Sequence, residues 1–223
     1  MDLKTIIQIF NDVNIGMGIL ETLYMVILST LISYVFGLPI GIISVVTEKG
    51  GILENKTINK VVGFVINLGR SIPFVILMAV LIPFTRFLLG TSIGTNAAIV
   101  SLTIAAIPFV SRVVEQSLKE VDHKLVEATL TLGASPLQII KNVYLGESVP
   151  SLIRGVSITM ITLVGYSAMA GVVGAGGLGN IAFMYGYQRF DNKVMIITVV
   201  ILILIVQIIQ FIFELLAKKI DRR

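Results

Sequence analysis

The residues whose spacing most resembles a chemical site are the glycines of the stretch GAGGLGN, residues 174–180, where Gly174, Gly176 and Gly179 stand in G-x-G-x-x-G order. Such a turn cradles a dinucleotide when a strand precedes it, a helix follows it, and an acidic residue lies about 20 positions on. Here a long uncharged run precedes it, and Asp191 comes only twelve residues after Gly179, so the nucleotide reading fails. The glycines serve instead to let backbones approach closely, or to end a membrane span in a non-helical turn that lines protein or water. Gly174, Gly176, Gly177 and Gly179 are therefore assigned to helix packing or an outer turn. The chain has no cysteine and one histidine, His123, which excludes thiol chemistry and histidine-pair metal sites. No apolar run holds paired carboxylates or a serine with a base partner, so no catalytic residue, metal or cofactor is expected.

The elements that position these residues are membrane spans. Of 223 residues, 56% are hydrophobic and 13% charged, about half the charge of an ordinary soluble domain. The uncharged runs 23–46, 87–111, 155–188 and 194–213 are each long enough to cross a hydrocarbon core. A fifth span is expected between residues 52 and 89, interrupted by Arg70 and Pro73, with its best apolar stretch at 71–85 and Arg70 at its boundary, where the side chain can snorkel to water. Residues 1–13 read as a short interfacial helix rather than a cleavable signal, because Asp2 sits where positive charge is needed. The fold class is all-α: a polytopic membrane protein of five transmembrane helices forming one domain over residues 1–223.

Five spans put the termini on opposite sides, and Lys and Arg, with the boundary residue Arg70 left out, divide between the sides twelve to four. The positive-inside rule then places the C-terminus and the loops after spans one and three in the cytoplasm, and the N-terminus outside. In a membrane protein the formal charge of +4 is a matter of topology, so no nucleic-acid partner is expected. The cytoplasmic segment between Arg112 and Arg154 is too long for a simple helix connection. Within it Leu125, Val126, Thr129, Leu130 and Leu132 have helical spacing, and Gly133 follows as a left-handed terminator. A second helix restarts at once, with Ser135 as N-cap, Pro136 at the first position and Gln138 closing an S-x-x-Q box. Two short helices at an angle make a knob. It is either an interfacial elbow or a docking element whose small corner residues Ala128, Gly133 and Ala134 enter a partner's groove.

Glu127-Ala128, with Gly133 six positions after the glutamate, resembles the "EAA" loop by which permease subunits of ABC importers dock on their ATPase. Thr129, Val143 and Gly146 depart from that pattern, where Ala, Ile and Pro are usual. The stretches RSIPFVILM, IPFTRFLLGTSIG, ITLVGYSAMAGVVGAGGLGN and YGYQRFD are similar to the methionine ABC importer permeases over nearly the whole chain. The resemblance implies a coupling segment at about residues 116–147, with Glu127, Ala128, Gly133, Ala134, Ser135, Pro136 and Leu137 as the coupling loop. It implies a second copy of the chain, two cytoplasmic ABC ATPase subunits and an extracytoplasmic methionine-binding lipoprotein as partners. It also implies a bacterial inner-membrane location and uptake of methionine, D and L. Two points agree independently. No G-x-x-x-x-G-K-[ST] loop exists in the chain, so ATP chemistry belongs to another polypeptide. Five helices also enclose a path poorly, which favours a symmetric dimer.

Within that path Met169 is the candidate gate, being the one long side chain in YSAMAG, with Tyr166 and Ser167 as candidates for wetting it. Ordinary helix packing is the alternative for Met169. Phe183, Tyr185, Tyr187 and Phe190 read as an interfacial aromatic belt. The competing functions are a permease for another small amino acid, an ion-coupled secondary transporter and an intramembrane enzyme. Ion coupling wants ionisable groups at mid-membrane, and the four clear runs carry none.

Overall fold

The computed structural model describes residues 9–221, and no β-strand occurs among them. Four helices are long and apolar enough to cross a membrane: α1 (Ile15–Val46), α5 (Thr95–Lys119), α7 (Pro136–Val172) and α9 (Asn192–Ile220). Shorter helices lie between them: α2 (Lys56–Ser71), α3 (Phe74–Val80), α4 (Ile82–Leu89), α6 (His123–Thr131) and α8 (Gly177–Ile181). Residues 9–12 are helical and Asn14 turns the chain with φ 55° before α1; the rest of the expected interfacial helix lies outside the described residues.

The fifth span differs from expectation. The apolar stretch 71–85 is not one helix: α2 and α3 together pass as a span but are bent by 99° at the break between them. Pro73 causes the break, because it has no N–H to donate and pushes Ile72 out of the helical region. The helix begins at Lys56, inside the expected limits of 52 and 89 but well before the apolar stretch at 71–85. Arg70 consequently sits in the last turn of α2, ~21 Å along the axis from Lys56, rather than at the start of a span.

The second arm of the expected knob also differs. It is not a short helix but the opening of α7, which passes through a π-helical stretch at Ile139–Leu145 and continues to Val172. Gly146 looks like a breaker in the sequence but takes helical dihedrals, φ −59° and ψ −47°. Pro150 lies inside the helix that follows.

The chain divides into two compact units, and each stands on its own contacts. One comprises Ile32–Ser71, Ala106–Thr159 and Phe211–Arg223. Its core gathers Val45, Val46, Val110, Val114, Leu118, Val126, Ile139 and Val143. There α1 and α5 touch closely: a Cβ on Gly41 would lie 2.7 Å from Val114 and 2.8 Å from the Ser111 carbonyl oxygen. The other comprises Met1–Leu31, Ile72–Ala105 and Met160–Gln210. In it the Tyr24 hydroxyl donates to Asn96 Oδ1 at 3.2 Å, and Phe74 stacks on Tyr166 with ring centroids 4.6 Å apart.

Candidate functional site

The corner between α6 and α7, where the coupling loop is expected, is built by local signals. Asp122 caps α6, accepting the Lys124 N–H at 2.9 Å. At the other end Gly133 has φ +80°. The Ala134 N–H reaches back to the Thr129 carbonyl at 3.3 Å, and the Gly133 N–H to the Leu130 carbonyl at 2.9 Å. These are the two bonds of a Schellman terminus, which needs a left-handed residue at that place. The Ser135 N–H donates to Gln138 Oε1 at 2.8 Å and the Gln138 N–H to Ser135 Oγ at 3.4 Å, so the capping box is present, with Pro136 at the first helical position.

This corner has two faces. Val126, Ile139 and Val143 are buried in the core, with Ala134 packed partly against it. Outward, Leu132 and Leu137 are 86% and 78% exposed. Glu127 is also exposed and lies 3.2 Å from His123 Nδ1, one turn away. The corner thus holds two apolar tips beside an exposed carboxylate, fixed in place by its own local bonds. The sequence reading named Leu137 but counted Leu132 with the helix's apolar face; its place just before Gly133 puts it at the tip.

Behind the corner lies a charge network that the sequence reading counted only as topology. The Arg112 guanidinium donates to both oxygens of Glu115 at 3.0 and 2.9 Å, and to Asn67 Oδ1 at 2.8 Å. Lys119 Nζ lies 3.0 Å from Glu115 and 2.8 Å from Glu48. Glu115 is buried, 6% exposed. The network ties α5 to α2 and to the loop after α1, and the spacing Arg112, Glu115, Lys119 on one helix face was its visible signal.

In the other unit α7 ends at Val172 and the glycine turn follows, with Gly174, Gly176 and Gly177 at φ +90°, +86° and +75°. Residues far away in sequence cap the short helix α8. Glu21 Oε2 accepts the Gly177 N–H at 2.6 Å, and Thr22 Oγ1 accepts the Leu178 N–H at 2.9 Å while donating to the Gly18 carbonyl at 2.9 Å. Gly179 lies directly on Ala168, where a Cβ would stand 2.5 Å from the carbonyl oxygen.

Of the three path candidates, Met169 is 48% exposed on α7. Tyr166 is stacked against Phe74, and Ser167 is buried with its hydroxyl donating to the Val164 carbonyl at 2.8 Å. The aromatic cluster is ordered: Phe183 stacks on Tyr187 at 5.4 Å, and Arg189 lies 4.6 Å above the Tyr185 ring. No group of three or more metal-ligating side chains occurs among the described residues.

Comparison with known proteins bears on these features. Residues 37–223 match the family described as "Binding-protein-dependent transport system inner membrane component". The chain is similar to the "Probable D-methionine transport system permease protein MetI" of Vibrio cholerae, 51% identical over 203 residues that cover 91% of this chain and 90% of that one. It is similar also to the "Methionine import system permease protein MetP" of Bacillus subtilis, 45% identical over 79% of this chain and 80% of that one. Among solved structures, a chain from "Inward facing conformations of the MetNI methionine ABC transporter" matches with a TM-score of 0.92 and 45% identity, covering 93% of this chain and 96% of that one.

Proposed function

The chain belongs to the binding-protein-dependent transport system inner membrane component family, and we propose that it is the non-catalytic permease subunit of an ATP-driven methionine importer. The observation that carries this reading is the corner at Gly133. It is a doubly capped turn that holds Leu132, Leu137 and Glu127 outward while Val126 and Ile139 anchor it to the core. A surface so fixed delivers force from a partner, and the chain has no phosphate loop with which to generate that force itself.

The permease works as a dimer with separate ATPase subunits in the inner membrane. Beyond this, we place the corner and the C-terminus in the cytoplasm and the N-terminus outside, from the Lys and Arg distribution. Methionine arrives from an extracytoplasmic binding protein, and relatives are named for D-methionine and for methionine, so both enantiomers fall within the proposal. Nucleotide-driven motion of the ATPase moves the corner and with it the unit whose core contains Val126 and Ile139. The exposed Met169 side chain closes the path against its symmetry mate until the glycine turn rearranges.

The test is uptake of labelled methionine, presented with its extracytoplasmic binding protein, into vesicles that hold the permease with and without its co-purifying ATPase. ATP-dependent uptake that requires both is expected. Uptake driven by a sodium or proton gradient without ATP would replace this reading with the ion-coupled one.

A further inference from the structure

Helix α2 presents three different faces. Ile66 is buried, and Asn59 donates to the Ser44 carbonyl at 2.7 Å. Ile58, Val61, Val65 and Leu68 form an exposed apolar stripe. Lys60, Asn67 and Arg70 lie on a third side and are also exposed. An apolar stripe suits lipid or a neighbouring helix, but polar side chains at membrane depth must face water or protein. Beside Arg70 the chain leaves a cavity of about 370 Å³ between α2, α5 and α7, at the small end of ligand pockets, which run roughly 300–1,000 Å³.

The four charged residues lining this cavity are not equivalent. Arg112 is committed to Glu115 and Asn67, and Arg154 to Asp221 at 3.1 Å. Arg70 and Glu120 line the same cavity, and their side chains have neither a hydrogen bond nor an ion pair among the described residues. The open charges are thus one cation and one anion. Phe109, Val113 and Ile158 give the cavity an apolar wall, beside the polar Gln116, Ser117 and Ser151. A site for a simple anion has no use for an uncommitted carboxylate, and a lipid-filled groove has none for either charge. A zwitterion with an apolar tail satisfies all three features.

We propose that this cavity is a transient binding site for the transported amino acid on the permease itself: Arg70 takes the carboxylate, Glu120 takes the ammonium, and Phe109, Val113 and Ile158 receive the side chain. The assignment rests on the importer reading above. In the orientation given there the site opens toward the cytoplasmic side.

The experiment uses the nucleotide-free permease–ATPase complex in lipid nanodiscs, with labelled L-methionine at equilibrium and the isolated ATPase measured as the blank. One site per permease chain is expected, weakened roughly tenfold or more by Arg70→Gln and by Glu120→Gln, each of which removes one charge-assisted contact. Lys49→Gln, an exposed charge elsewhere, should leave it unchanged. Two analogues separate recognition from a general structural effect. Methioninol, which lacks the carboxylate, should bind weakly and be insensitive to Arg70→Gln. N-acetylmethionine, which lacks the ammonium, should be insensitive to Glu120→Gln. Equal sensitivity of all three ligands to both variants would overturn the assignment, as would unaltered methionine binding. Retention of phosphatidylethanolamine that depends on Arg70 and Glu120, with no methionine bound, would give the cavity to a lipid headgroup instead. ATP-driven uptake by the unaltered complex is measured alongside: intact uptake without binding removes this inference alone, and absent uptake removes the importer reading.

Discussion

Gly179→Ala should separate α8 from α7. A methyl on Gly179 would stand 2.5 Å from the carbonyl oxygen of Ala168 and 2.8 Å from its carbonyl carbon, both backbone atoms that cannot rotate away. Comfortable separation is about 3.5 Å or more, so the two segments must part by roughly 1 Å. Overpacking of this kind costs about 1–3 kcal/mol, against about 0.5–1 kcal/mol returned because alanine favours helix over glycine. The net loss of about 1–2 kcal/mol corresponds to a fall of several degrees in the unfolding temperature for a chain this size. The reciprocal site is Gly171, whose Cβ would stand 2.7 Å from the Gly179 carbonyl carbon. Because one separation relieves both clashes, Gly171→Ala and Gly179→Ala together should cost less than the sum of the two. Gly146→Ala is the control: its nearest neighbour, the Lys141 carbonyl oxygen, lies 3.8 Å away, and its dihedrals are helical. The assay is thermal unfolding of the purified complex together with ATP-driven uptake. Equal unfolding temperatures for Gly179→Ala and Gly146→Ala, or strict additivity of the pair, would refute the close-contact reasoning.

Met169→Ala should raise passive leak of small solutes or uncouple ATP hydrolysis from transport; unchanged leak, hydrolysis and uptake would make the exposed side chain an ordinary packing residue of the dimer. Glu21→Ala should leave the Gly177 N–H without its acceptor, costing about 1–3 kcal/mol, while Glu21→Gln keeps a neutral acceptor and should cost less; equal unfolding temperatures for the two would show that this bond does not hold the turn. Gly133→Val adds a Cβ at a left-handed residue, roughly 1–2 kcal/mol, and together with Glu127→Ala should reduce ATPase recovery on pull-down and uptake far more than membrane level. Normal recovery and uptake in both variants would leave the corner as an elbow.

What the sequence made legible was local. The capping box at Ser135 and Gln138, the left-handed Gly133, and the end of a span at Gly174 each depend on residues within a few positions of one another, where chemistry and spacing determine geometry. Between residues 52 and 89 the interruption at Pro73 was legible but its size was not, because hydropathy averages over a window whereas Pro73 acts at a single bond and leaves α2 and α3 bent by 99°. Gly146 and Pro150 look like helix ends, yet α7 runs through both, because its buried residues Ile139, Val143 and Tyr144 reward continuation. The bond between Glu21 and Gly177 joins residues 156 positions apart and left no periodic trace. Glu115 was visible as a charge, but its burial and its pairing with both Arg112 and Lys119 were not.

The two turns solve the same problem by opposite means. A helix start leaves backbone N–H groups without partners, and at the corner Ser135 and Gln138 supply them from within four residues, so the surface is formed before any partner arrives. A local cap survives as long as its own helix does, which suits a surface that must transmit force. At the glycine turn the acceptors come from Glu21 and Thr22 on another helix, so the start of α8 is satisfied only while α1 stays against it. Moving α1 away exposes two N–H groups that water can then take up, and the three left-handed glycines allow the turn to change shape without side-chain clashes. Stability borrowed from a neighbour is reversible in a way that a local cap is not. That difference matches the docking role proposed for the corner and the moving role proposed for the glycine turn.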